Sequence, residues 1–189
     1  MSRKPRVWYP GAVYHITARG NRRDSIFYDP DDYQHYMGLI ASCMEDISFI
    51  LHAYCLMPNH IHLLLETKEV PLGAIIKFIH TRYAIYFNKR HDFTGHVFQG
   101  RYYAKLIDST DYFLRASRYI HLNPVESEIV TEPKNYVWSS YPEYMAEAKN
   151  STLLETGRVL SYFQEPQKEN YCTYVESSEP EESDATLTN

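Results

Sequence analysis

Met57-Pro58-Asn59-His60-Ile61-His62, followed by Leu63-Leu64-Leu65-Glu66, is the stretch on which the fold turns. In an extended strand alternate side chains point to opposite faces, so His60 and His62 emerge side by side while Ile61, Leu63 and Leu65 turn the other way. The residues before it, 48–57, also read as extended, and Pro58-Asn59 is a tight connection between them. The expectation is an antiparallel hairpin whose second strand offers two imidazoles on one surface. Neutral imidazole nitrogen is a good ligand for a divalent cation, and two on one rigid strand are spaced for a single ion. On spacing alone the pair fits two structural histidines equally well, so the metal reading needs support from elsewhere in the chain.

That support comes from Arg118-Tyr119-Ile120-His121-Leu122-Asn123-Pro124-Val125. On a helix, Tyr119 and Asn123 are four apart and share one face, so a phenol and an amide oxygen point together. Proline disfavours helical dihedrals in the residue before it, which predicts a helix end at Leu122 or Asn123. Asn123 is then a candidate third ligand. Taken alone, this stretch has a plainer reading, with Tyr119 packed in the core and Asn123 terminating the helix.

Together the two stretches resemble the single-tyrosine HUH transposases, and within them the REP-associated tyrosine transposases. In that family a His-hydrophobic-His pair follows a Met-Pro-Asn-like turn, and the nucleophile lies in a Tyr-Ile-x-x-Asn-Pro-Val helix. The resemblance spans residues 13–144. It takes in Tyr14-His15-Ile16-Thr17-Ala18-Arg19-Gly20-Asn21-Arg22-Arg23, Phe98-Gln99-Gly100-Arg101-Tyr102 and Val137-Trp138-Ser139-Ser140-Tyr141. Each motif is weak alone; their order makes coincidence improbable.

Elsewhere the pattern supplies scaffold. Residues 12–18 alternate as a strand that ends in Gly20-Asn21, a turn signal beside three arginines. Asp29-Pro30-Asp31-Asp32 reads as a helix start, with acids at the positive end of the dipole. A second helix is expected over 72–88, with Ile75, Ile76, Ile79, Tyr83 and Phe87 buried and His80 at the surface. Residues 96–107 read as a strand, with a bulge or close approach at Gly100. Asp108 or Ser109 then caps the tyrosine helix. The order strand, helix, strand, strand, helix, strand, helix predicts an α+β ferredoxin-like or RRM-like sandwich with a central antiparallel sheet, helices on one sheet face, and the HUH endonuclease type of site. The domain is expected over 1–145. Trp138, Tyr141 and Tyr144 fold back on it, a short helix is expected within 153–163, and 146–189 is an acidic tail, without structure from Glu165 onward.

The net charge of −5 averages two unlike halves. Residues 1–125 hold 15 Lys+Arg against 11 Asp+Glu, or +4, and residues 126–189 hold 4 against 13, or −9. Arg3, Lys4, Arg6, Arg19, Arg22 and Arg23 precede the first acid, a cation cluster suited to phosphates. The three cysteines are scattered without a Cys-x-x-Cys pair, which argues against a disulfide framework and a thiolate zinc site and points to a reducing cytoplasm, beside the nucleoid in a bacterium. No stretch approaches 18 apolar residues, so no membrane partner is expected. An aromatic share of 15 % supplies faces that fill cores and stack on unpaired bases.

The chemistry implied by the resemblance is attack of Tyr119 on a phosphodiester, leaving a 5′-phosphotyrosine and a free 3′-hydroxyl. A free phenol near pKa 10 is only about 0.1 % ionised at pH 7, so it needs activation. A Mg²⁺ or Mn²⁺ held by His60, His62 and Asn123 fits a phosphate task. No ATP loop is required and none is present. The implied substrate is single-stranded DNA beside a palindromic hairpin, gripped by Arg19, Asn21, Arg22, Arg23, Gln99 and Arg101. About 65 residues follow Asn123, where the shorter dimeric insertion-sequence branch generally stops. That favours the REP-associated reading, which implies a monomer over a homodimer, with an insertion-sequence transposase of the shorter branch as the alternative. Those residues also suggest that the acidic tail competes with DNA, in which case truncation after Tyr144 raises activity at low salt. Two other classes fit the same residues: a non-catalytic single-strand binder, and a metal-dependent hydrolase that activates water.

Overall fold

A computed structural model describes residues 7–147 and 152–177. The strands are β1 (Val13–Arg19), β2 (Phe49–Met57), β3 (His60–Thr67) and β4 (Tyr103–Leu106). The helices are α1 (Pro30–Asp46), α2 (Leu72–Arg90), α3 (Thr110–Glu126), α4 (Tyr141–Met145), α5 (Gly157–Leu160) and α6 (Gln167–Glu176). The sheet runs β2-β3-β1-β4, antiparallel throughout. With α1 between β1 and β2, and α2 between β3 and β4, this is the ferredoxin-like double βαβ.

Local chemistry explains the long elements. Asp29 accepts from the backbone N–H of Asp31 and Asp32 to cap α1, and Ser109 accepts from Tyr112 N–H to cap α3. Met57 pairs with His60 across the Pro58-Asn59 turn, which fixes the register of the histidine strand. Ile16, Ala18, Ile61 and Leu63 are buried on one sheet face, as are Tyr36, Ile40, Cys43, Ile75, Ile76, Ile79 and Tyr83 of α1 and α2. α3 packs on the opposite, histidine-bearing face, so helices flank both faces of the sheet. The free edge of β2 is closed by the segment that follows the core. Leu56 N–H donates to Trp138 O at 2.9 Å, and Ser140 N–H donates to Tyr54 O at 2.9 Å. Trp138 stacks on Tyr33 at 4.5 Å, and Tyr141 and Tyr144 are fully buried. Among the described residues no helix is long and apolar enough to cross a membrane.

Five expectations need correction, the first being helices on one sheet face, since α3 covers the face opposite α1 and α2. Pro124 lies inside α3, which continues to Glu126. A proline this close to a helix end removes one donor while the last turn still closes, Ser127 N–H reaching Asn123 O at 3.0 Å. The strand expected over 96–107 is reduced to Tyr103–Leu106 plus a single Gly20–Phe98 bridge. Gly100 takes a φ of +64° there, which breaks the pleat. His80 is half-buried, its ring stacked 4.1 Å from Phe98 and its Nε2 3.1 Å from the Tyr36 hydroxyl, because the 95–100 loop folds over α2. The structureless chain expected from Glu165 is α6 over 167–176, with Tyr171 and Val175 fully buried; residues 178–189 lie outside the described residues.

Candidate active site

The register of the two central strands builds the site. Thr17 lies opposite His62 and Arg19 opposite His60, so the pleat places His15, Thr17, Arg19, His60 and His62 on one face. α3 crosses that face. The Tyr119 ring stands edge-on to His62, with centroids 5.3 Å apart at 86°, and to His15 at 5.7 Å and 67°. The His60 and His62 rings are 5.0 Å apart. Asn123, one turn beyond Tyr119, brings Oδ1 to 3.0 Å from His60 Nε2. The four side chains that the sequence separates by up to 63 positions therefore meet.

Burial lowers the pKa of His60, with Arg19 adding to the effect against the opposing hydrogen bond to the Asn123 side-chain oxygen. Burial also lowers His62 well below the ordinary imidazole value, helped by His15, His60 and Arg19. Both rings are neutral at pH 7, the form that binds metal. A neutral imidazole carries one proton. On His60 it serves only one of two facing amide oxygens, Asn59 Oδ1 2.6 Å from Nδ1 or Asn123 Oδ1 3.0 Å from Nε2. With it on Nδ1, the lone pairs of Nε2 and Asn123 Oδ1 face each other, an arrangement that a cation bound by both would relieve. His62 Nδ1 lies 3.2 Å from both Thr17 Oγ1 and His15 Nε2, while its Nε2 is buried without a hydrogen-bond partner. Among the described residues no three His, Cys, Asp or Glu side chains cluster as a metal site. A site here therefore depends on the Asn123 oxygen beside two imidazoles, a mixed nitrogen and oxygen set that suits Mn²⁺ better than the oxygen-preferring Mg²⁺. The orphaned Nε2 is what such an ion would satisfy.

These groups floor an open cleft of about 390 Å³, which Arg19, Gln99 and Arg101 also line. A neighbouring groove shares Arg19, His60 and Ser127 with it and adds Arg23, Asn59 and Ile129. Of the six residues expected to grip DNA, Arg19, Arg23, Gln99 and Arg101 are thus brought to the cleft or its extension. Asn21 and Arg22 line neither, and occupy the 3-10 turn that ends β1. Arg22 and Arg23 adopt φ of 53° and 65°, a left-handed conformation that costs L-residues about 1 kcal/mol or more. Gly20 permits the turn, since a Cβ there would sit 2.0 Å from the Asp24 carbonyl oxygen. The sequence reading assigned no role to His15, Thr17, Tyr103, Glu126 or Ser127. His15 and Thr17 were findable, because they share parity with Arg19 on a strand that must pair with the histidine strand. Tyr103, 43 % exposed, offers an aromatic face on the cleft wall.

Three further histidines are held neutral by burial, His15 at about 4, and His80 and His121 at about 3. Between those values and 6.5 the unfolded chain binds more protons than the folded one, so stability is complete above about pH 6.5 and falls as the solution is acidified. The expected loss is on the order of 1 kcal/mol per pH unit for each such group. Urea midpoints at pH 7, 6 and 5 measure it, and a flat profile would contradict neutral burial.

A ferredoxin-like sheet with a His-hydrophobic-His strand set beneath a tyrosine-bearing helix, across an open polar cleft, is the class this chain defines by its own geometry. The model of the IS200-like transposases matches residues 9–123, and the chain belongs to that family. No curated protein matches it. Among solved structures it is similar to a REP-associated tyrosine transposase bound to a REP hairpin. The TM-score is 0.67 and the identity 20 %, over 82 % of this chain and 92 % of that one, which establishes the shared fold. It also aligns with a provisionally assigned transposase of Deinococcus radiodurans R1 at a TM-score of 0.45 and 17 % identity, over 63 % of this chain and 95 % of that one.

Proposed function

We propose that the protein is a metal-dependent single-strand DNA endonuclease and strand transferase of the REP-associated branch, acting beside palindromic hairpins through a 5′-phosphotyrosine. The observation that carries this reading is the convergence of Tyr119, His62 with its orphaned Nε2, and the His60–Asn123 pair on one cleft floor. The Tyr119 hydroxyl releases its proton as its oxygen attacks phosphorus, the bond to the 3′-oxygen breaks, and that oxygen takes up one proton in turn, so the step is neutral in protons. The covalent link keeps the energy of the broken bond for rejoining. His60, His62 and Asn123 would hold Mg²⁺ or Mn²⁺, which supplies charge neutralisation at the scissile phosphate. Arg19, Arg23 and Arg101 bind the flanking phosphates, Gln99 contacts a base edge or the backbone, and Asn21 and Arg22 reach the hairpin beyond the cleft. The branch is favoured by the fold it shares with the hairpin-bound enzyme and by the residues after Asn123, which return to the core.

Incubating the protein with labelled single-stranded and duplex forms of a hairpin oligonucleotide, in Mn²⁺ or in EDTA, tests the reading. The expected product is a protein–DNA adduct that survives denaturation, formed on single strands in Mn²⁺ only. Cleavage without an adduct would mark a water-activating hydrolase. Binding that persists in EDTA without cleavage in either condition would mark a non-catalytic binder.

A further inference from the structure

The residue behind the proposed ligand His62 is a third imidazole, on the neighbouring strand. His15 lies two residues along β1 from Thr17, the partner of His62, and pairs with Leu64, so its ring lies diagonally across the strand boundary on the histidine-bearing face. The His15 and His62 rings stack, with centroids 5.4 Å apart and planes 29° apart. Both residues are 2 % exposed, so each ring is surrounded by protein groups. His15 also meets the Tyr119 ring edge-on, so it touches the candidate nucleophile and a candidate ligand at once.

The short contact runs from His15 Nε2 to His62 Nδ1, 3.2 Å. Only one proton fits between two imidazole nitrogens at that distance. If His15 holds it, His62 Nδ1 is the acceptor and the remaining His62 proton sits on Nε2, a buried N–H with no acceptor among the described residues. If His62 holds it, Nε2 is left as a bare lone pair in the cleft, ready to bind a cation. A ring nitrogen that ligates a metal commonly has its tautomer set by the group bonded to the other nitrogen.

We propose that His15 is a positioning residue, whose Nε2 accepts the Nδ1 proton of His62 and so keeps His62 Nε2 unprotonated and aimed into the cleft. Thr17 Oγ1, also 3.2 Å from His62 Nδ1, is the competing partner. A hydroxyl and a neutral imidazole can each donate or accept, so neither selects a tautomer by itself. The bias comes from His62 Nε2, where a proton would be a buried donor without an acceptor among the described residues, so that His15 Nε2 is left to accept. The proposal rests on the reading of His62 as a ligand, but the tautomer can be observed without any metal.

Long-range proton–nitrogen NMR of imidazole-labelled, EDTA-treated protein reads the tautomer of each histidine, with the His62 signals assigned by their loss in His62→Asn. The expected result is His62 protonated at Nδ1. His15→Phe keeps a ring of similar size without an acceptor and is expected to move His62 toward the Nε2–H form. It should also weaken Mn²⁺ binding, followed by electron paramagnetic resonance, by about 10- to 100-fold. His15→Gln restores an acceptor oxygen and should recover part of both, and Thr17→Val should leave the tautomer as it is. Wild-type His62 found in the Nε2–H form overturns the proposal, and that measurement needs no variant to fold. So does a folded His15→Phe with unchanged tautomer and Mn²⁺ affinity, or a tautomer that moves in Thr17→Val and not in His15→Phe. Failure of the wild type to bind Mn²⁺ would remove the metal reading alone, with the tautomer of the metal-free protein still deciding the role of His15.

Discussion

Tyr119→Phe is expected to abolish the covalent protein–DNA adduct, a fall of about 10⁴-fold or more, with hairpin binding changed less than about twofold. The size follows from the role, since removing a nucleophile removes the bond-forming atom and leaves only the binding contribution to rate. The selectivity follows from the geometry. Phe keeps the ring that stands edge-on to His62 and His15 and adds no volume at a position only 8 % exposed. Folding stability should therefore change by less than about 1 kcal/mol. The arginines credited with binding are carried by β1, its terminal turn and the 99–101 loop, none of them by α3, so the substitution leaves them in place. Tyr103→Phe is the matched control, because Tyr103 is the other tyrosine lining the cleft, and it should still form the adduct. Adduct formation by Tyr119→Phe at the normal rate, with gel mobility after denaturation as the readout, would remove Tyr119 from the mechanism.

The parts of this site legible in the sequence are those fixed by periodicity within one element. The His60/His62 pair follows from strand alternation, the Tyr119/Asn123 pair from helical spacing, and the hairpin register from the two residues between Met57 and His60. Contacts between elements were harder to read. His15 stood in the right strand with the right parity, yet its approach to His62 is a diagonal one that depends on the β1–β3 register, which neither strand states by itself. His80 lay off the apolar stripe of α2 and acquired its stacking partner, Phe98, from a loop 18 residues on and its hydrogen-bond partner, Tyr36, from α1. The arginine-bearing residues 99–101 mimicked alternation, but a left-handed Gly100 lets them line the cleft as a loop. Composition misled most after Glu165, where charge and polarity concealed the few apolar side chains that dock α6. A short helix needs only one buried face, and Tyr171 and Val175 supply it.

That misreading reverses an expected outcome. Truncation after Tyr144, which the acidic composition suggested would raise activity, is expected to destroy the fold or lower its melting temperature by more than about 10 °C. Leu154, Val159, Leu160, Tyr171 and Val175 are all buried, and apolar side chains of this size contribute about 1.5–3 kcal/mol each on burial. Even discounted for a compact unfolded chain, their sum rivals the stability of an ordinary domain, roughly 5–15 kcal/mol. The polar losses fall on the tyrosine helix. His121 Nδ1 is 2.7 Å from the Tyr171 hydroxyl, and its Nε2 is 2.7 Å from Ser140 Oγ. Arg118 donates to the carbonyl oxygens of Tyr174 at 3.0 Å and Ser177 at 2.7 Å. Truncation would strand a buried imidazole nitrogen at a cost of about 1–3 kcal/mol and unfasten α3 on both sides of Tyr119. Tyr171→Phe isolates one link, with an expected cost of about 1–2 kcal/mol. Circular dichroism melts of the full chain, the truncation and Tyr171→Phe measure these effects, and a truncated chain melting like the full one would show that α6 carries none of the stability assigned to it. Ending the chain at Ser177 removes Glu179, Glu181, Glu182 and Asp184 while sparing α6. A rise in adduct formation at low salt in that variant, with the melt unchanged, would assign the competition with DNA to those four acids and separate it from the structural work of the helix before them.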